Sequence, residues 1–154
     1  MVVLTPMDDA DYGPFLENLV REYAADHIRA GRWTAAEGVD QARAEVARLL
    51  PAGLQTPGQL FFSIRPADGG EKVGVLWLAV EPRGAFVYDL LIFEAHRRRG
   101  YAEAAMRAGE EIARSRGARK IALHVFADNR GARRLYEKLG YAETNVMMSK
   151  ELPP

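Results

Sequence analysis

The residues whose types and spacing best suit chemistry lie between Asp89 and Ala102, in the stretch DLLIFEAHRRRGYA. An apolar run gives way there to three arginines and Gly100, after which a helical pattern begins. A helix start leaves its first amides without intrahelical partners and carries the positive end of the helix dipole. Glycine also lets a ligand approach the backbone closely. The stretch therefore predicts an anion site, with phosphate as the expected ligand.

Several other kinds of site are excluded. The chain contains neither GxGxxG nor GxxxxGK[ST], the two commonest nucleotide-binding patterns. It has no cysteine, which rules out disulfides, thiolate metal ligands and a covalent acetyl-cysteine intermediate. His27 and His96 do not pair with acidic residues at metal-binding spacing, so we predict no metal.

A second informative stretch, DNRGARRLYEKLGY, runs from Asp128 to Tyr141. Taken with Arg97-x-x-Gly100-x-Ala102, it resembles the GCN5-related N-acetyltransferases (GNATs). In that family an R/Q-x-x-G-x-G/A turn binds the pyrophosphate of acetyl-CoA, and N-x-x-A-x-x-L-Y-x-x-x-G-F/Y forms a helix. The second pattern corresponds here to Asn129, Ala132, Leu135, Tyr136, Gly140 and Tyr141. The resemblance is strong from about Val87 to Leu152 and general before that.

The resemblance implies acetyl-CoA as co-substrate and names the residues that would hold it. The pyrophosphate would bind the amides of the turn. The pantetheine arm would form hydrogen bonds with the backbone of the preceding strand, as a neighbouring strand would. Many members have proline where Glu94 stands and glycine where Arg98 stands. The expected cofactor contacts are Leu90, Leu91, Ile92, Arg97, Arg98, Arg99, Gly100, Tyr101, Ala102, Glu103, Asn129 and Tyr136.

Tyr136 is the first candidate for catalysis, because a phenol near the sulfur can protonate the departing CoA thiolate. Packing against the sheet is its alternative role. Asn129 would bond the cofactor arm, cap a helix, or do both. An amine must lose a proton before it attacks, and the candidate bases are His124, Asp89 and, more weakly, Glu94, with a water relay as the remaining route.

The favoured function is direct transfer of acetyl from acetyl-CoA to a primary amine in a ternary complex. The acceptor would be a small molecule or a peptide. Protein amino-terminal acetylation and a non-catalytic acyl-CoA-binding module are the alternatives. The resemblance assigns acceptor specificity mainly to the first two helices, their loop and the final strands, which offer Glu22, Asp26, Arg29, Arg32, Trp33, Asp40, Tyr88 and Met147.

Length and charge bound the remaining possibilities. The 154 residues fit one domain, predicted over 1–154. The net charge is zero, yet residues 1–93 carry five more acidic than basic residues and residues 94–140 carry six more basic ones. Such an asymmetry suits a transferase that steers an anionic donor and a cationic acceptor, although solvated helix faces also explain much of it.

Neither a nucleic-acid partner nor a membrane span is expected. A cytoplasmic protein is the default, and a homodimer is compatible with the resemblance.

The elements that must position these residues follow from hydrophobic periodicity and turn residues. They predict an α/β single-domain GNAT (acyl-CoA N-acyltransferase) fold, with a mixed, mostly antiparallel sheet flanked by helices and one parallel strand–helix–strand unit. Thr34 is the predicted N-cap of the second helix. Predicted strands cover 2–4, 59–65, 72–80, 85–93, 121–126 and 141–150, and predicted helices cover about 8–30, 34–50, 100–116 and 129–139.

Overall fold

Five strands form one mixed sheet in the computed structural model, which describes residues 1–154. The strands are β1 (Val2–Pro6), β2 (Gln59–Pro66), β3 (Gly74–Glu81), β4 (Gly84–Ile92) and β5 (Ile121–Leu123). They lie in the order β1-β2-β3-β4-β5. The first four pair antiparallel, and β4 pairs parallel with β5. The prediction of a mostly antiparallel sheet with one parallel pair is confirmed.

Two compact units make up the chain, Met1–His124 and Val125–Pro154. The first contains the sheet and three helices, which are α1 (Asp9–Arg29), α2 (Gly38–Leu49) and α3 (Tyr101–Ser115). The second contains α4 (Arg130–Lys138). None of the helices combines the length and the apolar character that a membrane crossing requires.

The α1 and α2 helices pack with one face of the sheet to form the main core. Trp77 of β3 is nearly inaccessible, stacks on Phe61 and Tyr88, and donates its Nε1 hydrogen to Gln59 Oε1 at 2.6 Å. Phe15 of α1 meets Phe61 edge to face at 5.8 Å between ring centroids. A buried indole needs such a hydrogen-bond partner, because its N–H would otherwise be unsatisfied. This core fixes α1 and its connection to α2 relative to β4.

The predicted start of α2 at Thr34 is wrong. Residues 35–37 form a turn, and the helix begins at Gly38. Half of the expected capping box is present, since the Thr34 amide donates to Glu37 Oε1 at 3.2 Å. However, the amides of Glu37 and Gly38 both bond the Thr34 carbonyl, which closes a separate turn. A capping pattern can stabilise a turn as readily as a helix start.

β4 is the strand on which the candidate site depends. Its ladder with β3 is interrupted between Trp77 and Leu78, so Tyr88 has no partner on β3. On the other side, β4 pairs with β5 only from Ala85 to Val87. The bulge shifts the alternation of side chains along the strand. From Tyr88 to Ile92, the edge of β4 that faces away from β3 therefore has no strand beside it.

The turn between β4 and α3 contains two residues with positive φ. Gly100 has φ of 80° and Arg98 has φ of 62°. Arg98 is the only residue other than glycine in this region of backbone space, and it stands where many GNATs have glycine. A left-handed conformation costs an L-residue about 1–2 kcal/mol. The turn thus holds a left-handed conformation at a residue less suited to it than glycine.

In the second unit, α4 begins and ends with well-defined caps. The Asn129 side chain accepts a hydrogen bond from the Ala132 amide at 3.2 Å, which agrees with its expected capping role. At the other end the Gly140 amide bonds the Glu137 carbonyl and the Tyr141 amide bonds the Tyr136 carbonyl, a Schellman motif with Gly140 at φ of 96°. The final turn of α4 and Tyr141 are therefore held together.

Two strand predictions in the carboxyl-terminal part of the chain are wrong. β5 ends at Leu123 and not at Phe126, and residues 141–154 contain no strand. Both stretches have apolar, partly alternating sequences, which is why they suggested strands. A strand also needs a neighbouring backbone to bond, and sequence alone does not supply that neighbour.

The strain at Arg98 can be measured directly. We expect Arg98→Gly to raise the free energy of unfolding by roughly 0.5–1 kcal/mol, because glycine adopts positive φ without steric cost. Urea denaturation without ligand is the measurement. Arg99→Gly is the matched control: it removes the same charge from a residue without positive φ, and it should be destabilising by about 0.5 kcal/mol. Equal effects of the two substitutions would contradict the strain.

Candidate active site

The unpaired edge of β4 presents a short row of backbone groups. The amide of Phe93 donates to the Val73 carbonyl. Successive residues at this end of β4 therefore direct their backbone groups alternately towards β3 and towards the open side. An added Cβ at Gly74 would collide with the Leu91 carbonyl oxygen, which therefore faces β3. Leu90 and Ile92 consequently direct their backbone groups to the open edge, whereas the backbone of Leu91 belongs to the β3 ladder. Of the three residues predicted to bond a pantetheine arm, two present their backbone there.

Arg97 contacts the strand and not the helix start. Its Nε donates to the Ile92 carbonyl oxygen at 3.0 Å. This hydrogen bond ties the turn to the last residue of β4 and occupies one of the outward acceptors. The short helical turn Glu94–His96 lies between them, and the His96 amide bonds the Phe93 carbonyl. The first residue of the predicted phosphate motif thus positions the turn.

The start of α3 is open to an anion. No side chain caps it, and its first intrahelical backbone bond runs from the Ala104 amide to the Gly100 carbonyl. The amides of Tyr101, Ala102 and Glu103 therefore precede the helix's own ladder. A Cβ at Gly100 would meet only the flexible end of Met1, at 3.2 Å. Amides at the positive end of a 15-residue helix are suitably placed to bind phosphate oxygens.

The charges around this turn favour an anion as well. Arg98 and Arg99 are both exposed. Glu103 in the first turn of the helix is paired with Arg107 at 3.1 Å, which offsets its negative charge. A surface cavity of about 270 Å³ lies beside the turn and is lined by Met1, Pro66, Ala67, Asp68, Arg99 and Tyr101. The amides and the charge of the two arginines therefore suit an anion such as phosphate at residues 98–103.

Asp89 lies on β4 just before the outward-facing row and has an unusual acidity. Burial, reinforced by the negative charges of Glu22 and Asp26 on α1, raises the pKa of Asp89 from its ordinary 3.8 to about 7. A hydrogen bond from the Leu90 amide opposes this rise. The residue keeps partial access to solvent. A carboxyl group with this pKa can accept a proton near neutral pH and return it to water.

An aromatic cluster fixes the loop between α1 and α2 near these acids. His27 lies 4.4 Å from both Tyr23 and Trp33, measured between ring centroids. Arg32 covers the Trp33 ring at 4.9 Å and donates to Glu45 Oε1 at 2.8 Å. The Tyr23 hydroxyl donates to Glu45 Oε2 at 2.6 Å. Arg32 and Trp33, both expected to contact the acceptor, are thus engaged in holding the loop.

The surroundings of His27 favour its neutral form. Burial, aided by the positive charge of Arg32, lowers the pKa of its imidazole. An Arg32 amino group lies 3.3 Å from His27 Nδ1, and a guanidinium can only donate, so this nitrogen accepts. His124 also acts on the imidazole, since its charge contributes to the lowered pKa of His27. His124 itself follows β5 and is exposed. His124 therefore lies within range of a charge interaction with His27 on α1, whereas Glu94 lies in the helical turn after β4.

The second unit supplies the remaining candidates. Tyr136 lies on α4, half-buried, with its ring centroid 5.8 Å from that of Tyr141. Arg133 of the same helix donates to Glu143 at 2.8 Å and to the Ala127 carbonyl at 3.2 Å. These contacts orient α4 within its own unit. Asn129 uses its side-chain oxygen for the helix cap, which leaves its amide hydrogens as donors.

No three histidine, aspartate or glutamate side chains cluster closely enough to hold a metal ion. Three features of the site had no clear sequence signal: the bulge at Tyr88, the approach of Glu22 and Asp26 to Asp89, and the Arg97–Ile92 hydrogen bond. The positive φ of Arg98 did have a sequence signal, because glycine is common at that point of the turn in GNATs.

Comparison with known proteins is consistent with this geometry. Residues 17–141 match the model of the acetyltransferase (GNAT) family. The uncharacterized N-acetyltransferase YycN of Bacillus subtilis is 39% identical, with 98% of this chain and 99% of that protein covered. YdgE of the same organism is 36% identical, with 97% of each covered. The crystal structure of YycN superposes over 100% of both chains with a TM-score of 0.95 at 38% identity. The mycothiol acetyltransferase of Corynebacterium glutamicum (strain R) is 40% identical over 54% of this chain and 30% of that protein.

The pKa of Asp89 predicts how stability depends on pH. The folded state binds the Asp89 proton more tightly than the unfolded state does, so this group costs stability as pH rises from about 4 to about 7. Asp89→Asn removes the cost. The free energy of unfolding of the variant minus that of the parent should therefore increase by on the order of 2–4 kcal/mol when the pH is raised from 4 to 8. The partial exposure of Asp89 favours the lower value.

Urea denaturation at several pH values measures this difference. Asp68→Asn in the exposed β2–β3 loop is the matched control, and its difference from the parent should change little over the same range. A difference for Asp89→Asn that is the same at pH 5 and at pH 8 would contradict the raised pKa.

Proposed function

The chain belongs to the acetyltransferase (GNAT) family, and on that premise we propose that it transfers acetyl from acetyl-CoA directly to a primary amine. Membership makes it an acetyltransferase; the amine acceptor and the residues assigned to each step are our proposal. The observation that carries the amine is Asp89, a partly accessible carboxyl group with a pKa of about 7 beside Glu22 and Asp26. Such surroundings attract an ammonium group and can accept its proton.

The donor would be held by β4 and the turn. GNAT acetyltransferases generally use acetyl-CoA, and the uncapped amides from Tyr101 to Glu103 suit its pyrophosphate. The Leu90 carbonyl and the Ile92 amide would bond the pantetheine arm. Arg98 and Arg99 would add positive potential, and Arg97 would keep the turn in register with the strand. When bound, acetyl-CoA supplies the activated acyl group, and the chain supplies its orientation.

The acceptor would approach from the acidic side of β4. An amine is mostly protonated at neutral pH and cannot attack until it loses that proton. Asp89 in its ionised form would take it, directly or through a water molecule, and Glu22 and Asp26 would favour the cationic form of the incoming acceptor. His124 is the second candidate base, on the strength of its position after β5 and towards the α1–α2 loop.

Tyr136 would serve the departing sulfur. The neutral amine would form a bond to the acetyl carbon, and as the C–S bond breaks the phenol would donate its proton to the CoA thiolate. The proton that the acylated nitrogen releases would return through water to the phenolate and regenerate Tyr136. Its support is the match of Tyr136 to the family motif and the position on a helix that is capped at both ends. The chain has no cysteine, so the acetyl group would pass to the acceptor without a cysteine-bound intermediate.

The experiment is a measurement of free-thiol release from acetyl-CoA over a panel of amines, amino acids, polyamines, aminoglycosides and peptides. We expect release that depends on at least one amine, and Tyr136→Phe should lower that turnover by about tenfold or more while leaving acetyl-CoA affinity nearly intact. Tyr141→Phe is the control, because it removes a hydroxyl from the neighbouring ring. Unchanged turnover in Tyr136→Phe would remove that residue from the mechanism. A thermal shift with acetyl-CoA but no turnover on any acceptor would favour a binding module instead.

The turn can be tested through cofactor affinity. Gly100→Ala places a methyl group where the amides would meet the pyrophosphate, and we expect acetyl-CoA to bind at least about tenfold more weakly in calorimetry. Gly117→Ala is the matched control, since Gly117 also has positive φ, at 96°, at the other end of α3. Both variants should lose stability, but only the first should lose affinity. Equal affinities would contradict the proposed site.

A further inference from the structure

His27 is a buried titratable residue that has no role in the proposed transfer. It lies in the last turn of α1, and only 7% of it is exposed. Its carbonyl oxygen accepts hydrogen bonds from the amide of Arg32 at 2.9 Å and from the amide of Trp33 at 3.4 Å. The backbone of His27 therefore holds the loop between α1 and α2, residues 30–37, against the end of α1.

The imidazole of His27 makes a second attachment to this loop. One amino group of Arg32 lies 3.3 Å from Nδ1 and 3.5 Å from Nε2. The other amino group donates to Glu45 of α2, and the guanidinium covers the Trp33 ring. A guanidinium can only donate, so it can bond an imidazole only at a nitrogen that carries no proton. The attachment through Arg32 therefore requires the neutral form of His27.

Protonation of His27 would place two cations side by side. An imidazolium carries a hydrogen on both nitrogens, so Arg32 would lose its acceptor, and the two positive charges would repel each other with little water between them. The titratable and charged groups that face the imidazole are Tyr23 and Asp26 of α1, Arg32 of the loop, Glu45 of α2 and His124 after β5. Burial and the charge of Arg32 outweigh the two carboxylates, so the pKa of His27 lies below its ordinary value.

We propose that protonation of His27 opens the α1–α2 loop, so that the conformation of residues 30–37 depends on pH. In the closed form, Arg32 bonds the neutral imidazole and covers Trp33. In the open form, Arg32 has moved away from the imidazolium and water reaches the Trp33 ring.

The direction of the pH dependence follows from the two forms. His27 has an ordinary pKa of about 6.5 in the open form and a lower pKa in the closed form. The open form therefore binds the proton more tightly, and the closed form loses population as the pH falls below about 6.5. The loop begins shortly after Asp26, whose charge acts on Asp89, so opening changes the surroundings of the candidate site. The switch itself does not depend on the proposed acceptor.

Tryptophan fluorescence reports on the loop. The chain has two tryptophans, Trp33 in the loop and Trp77 in the core. From about pH 8 to about pH 5, the emission of the parent should move to longer wavelength as the Trp33 indole becomes hydrated, and Trp33→Phe should abolish this shift. His27→Gln should abolish it too, because glutamine offers Arg32 an acceptor oxygen but takes up no proton in this range.

Two further histidine variants make the assignment specific. His96→Gln is the matched control: His96 pairs with Glu71 at 3.3 Å, and its loss should leave the shift unchanged. His124→Gln removes a positive charge that opposes protonation of His27, so the midpoint of the shift should move to higher pH. An emission that stays constant over the range, or a shift that persists in His27→Gln, would overturn the proposal.

Hydrogen exchange tests the opening in the unaltered protein. The amides of Arg32 and Trp33 bond the His27 carbonyl in the closed form. Their protection factors, corrected for the intrinsic pH dependence of exchange, should fall by up to about tenfold for each pH unit below about 6.5. The amide of Val80, which bonds the Gly58 carbonyl, should keep its protection. Constant protection of the two loop amides, or an equal loss at Val80, is incompatible with a switch at His27.

Discussion

The unequal pairing of β4 is the constraint on which the rest of the structure depends. This strand bonds β3 along most of its length but bonds β5 over only three residues. The bulge at Tyr88 stands where the parallel pairing ends, and beyond it the strand carries Asp89, the outward backbone of Leu90 and Ile92, and the turn. In a regular sheet these backbone groups would be hydrogen-bonded to a neighbouring strand. The candidate site exists because β4 lacks a second neighbour there.

The two signs of charge lie on different elements around β4. The positive groups, Arg98, Arg99 and the start of α3, follow the strand, whereas the negative groups, Glu22 and Asp26, lie on α1 beside Asp89. The chain as a whole is neutral, so this separation creates opposite local potentials without a net field. An anionic donor and a cationic acceptor would thus be attracted to different places. Burial, with the charges of Glu22 and Asp26, raises the pKa of Asp89 to about 7, so this carboxyl group is only partly ionised near neutral pH.

Much of the fold could be predicted from the sequence where local signals agreed with one another. The start of α1 at Asp8, the glycine ends of α3 and α4 and the antiparallel meander of β2, β3 and β4 each follow from periodicity and turn residues. The errors concern features that depend on distant parts of the chain. Thr34 and Glu37 form the expected contact but not the expected helix, and β5 and residues 141–150 lack the neighbours that their sequences suit. The acidity of Asp89 depends on α1, more than sixty residues earlier, and no local pattern encodes that approach.

The hydrogen bond from Arg97 to the Ile92 carbonyl has a consequence for how an extended ligand could lie along β4. It occupies the final outward acceptor of the strand and links that residue to the turn. A ligand that bonds this edge therefore meets a fixed end point and cannot slide by two residues towards the helix. In the proposed complex the guanidinium would limit how far the ligand extends along β4, so the protein, rather than the ligand's flexibility, would set the distance from the start of α3 to the reacting group.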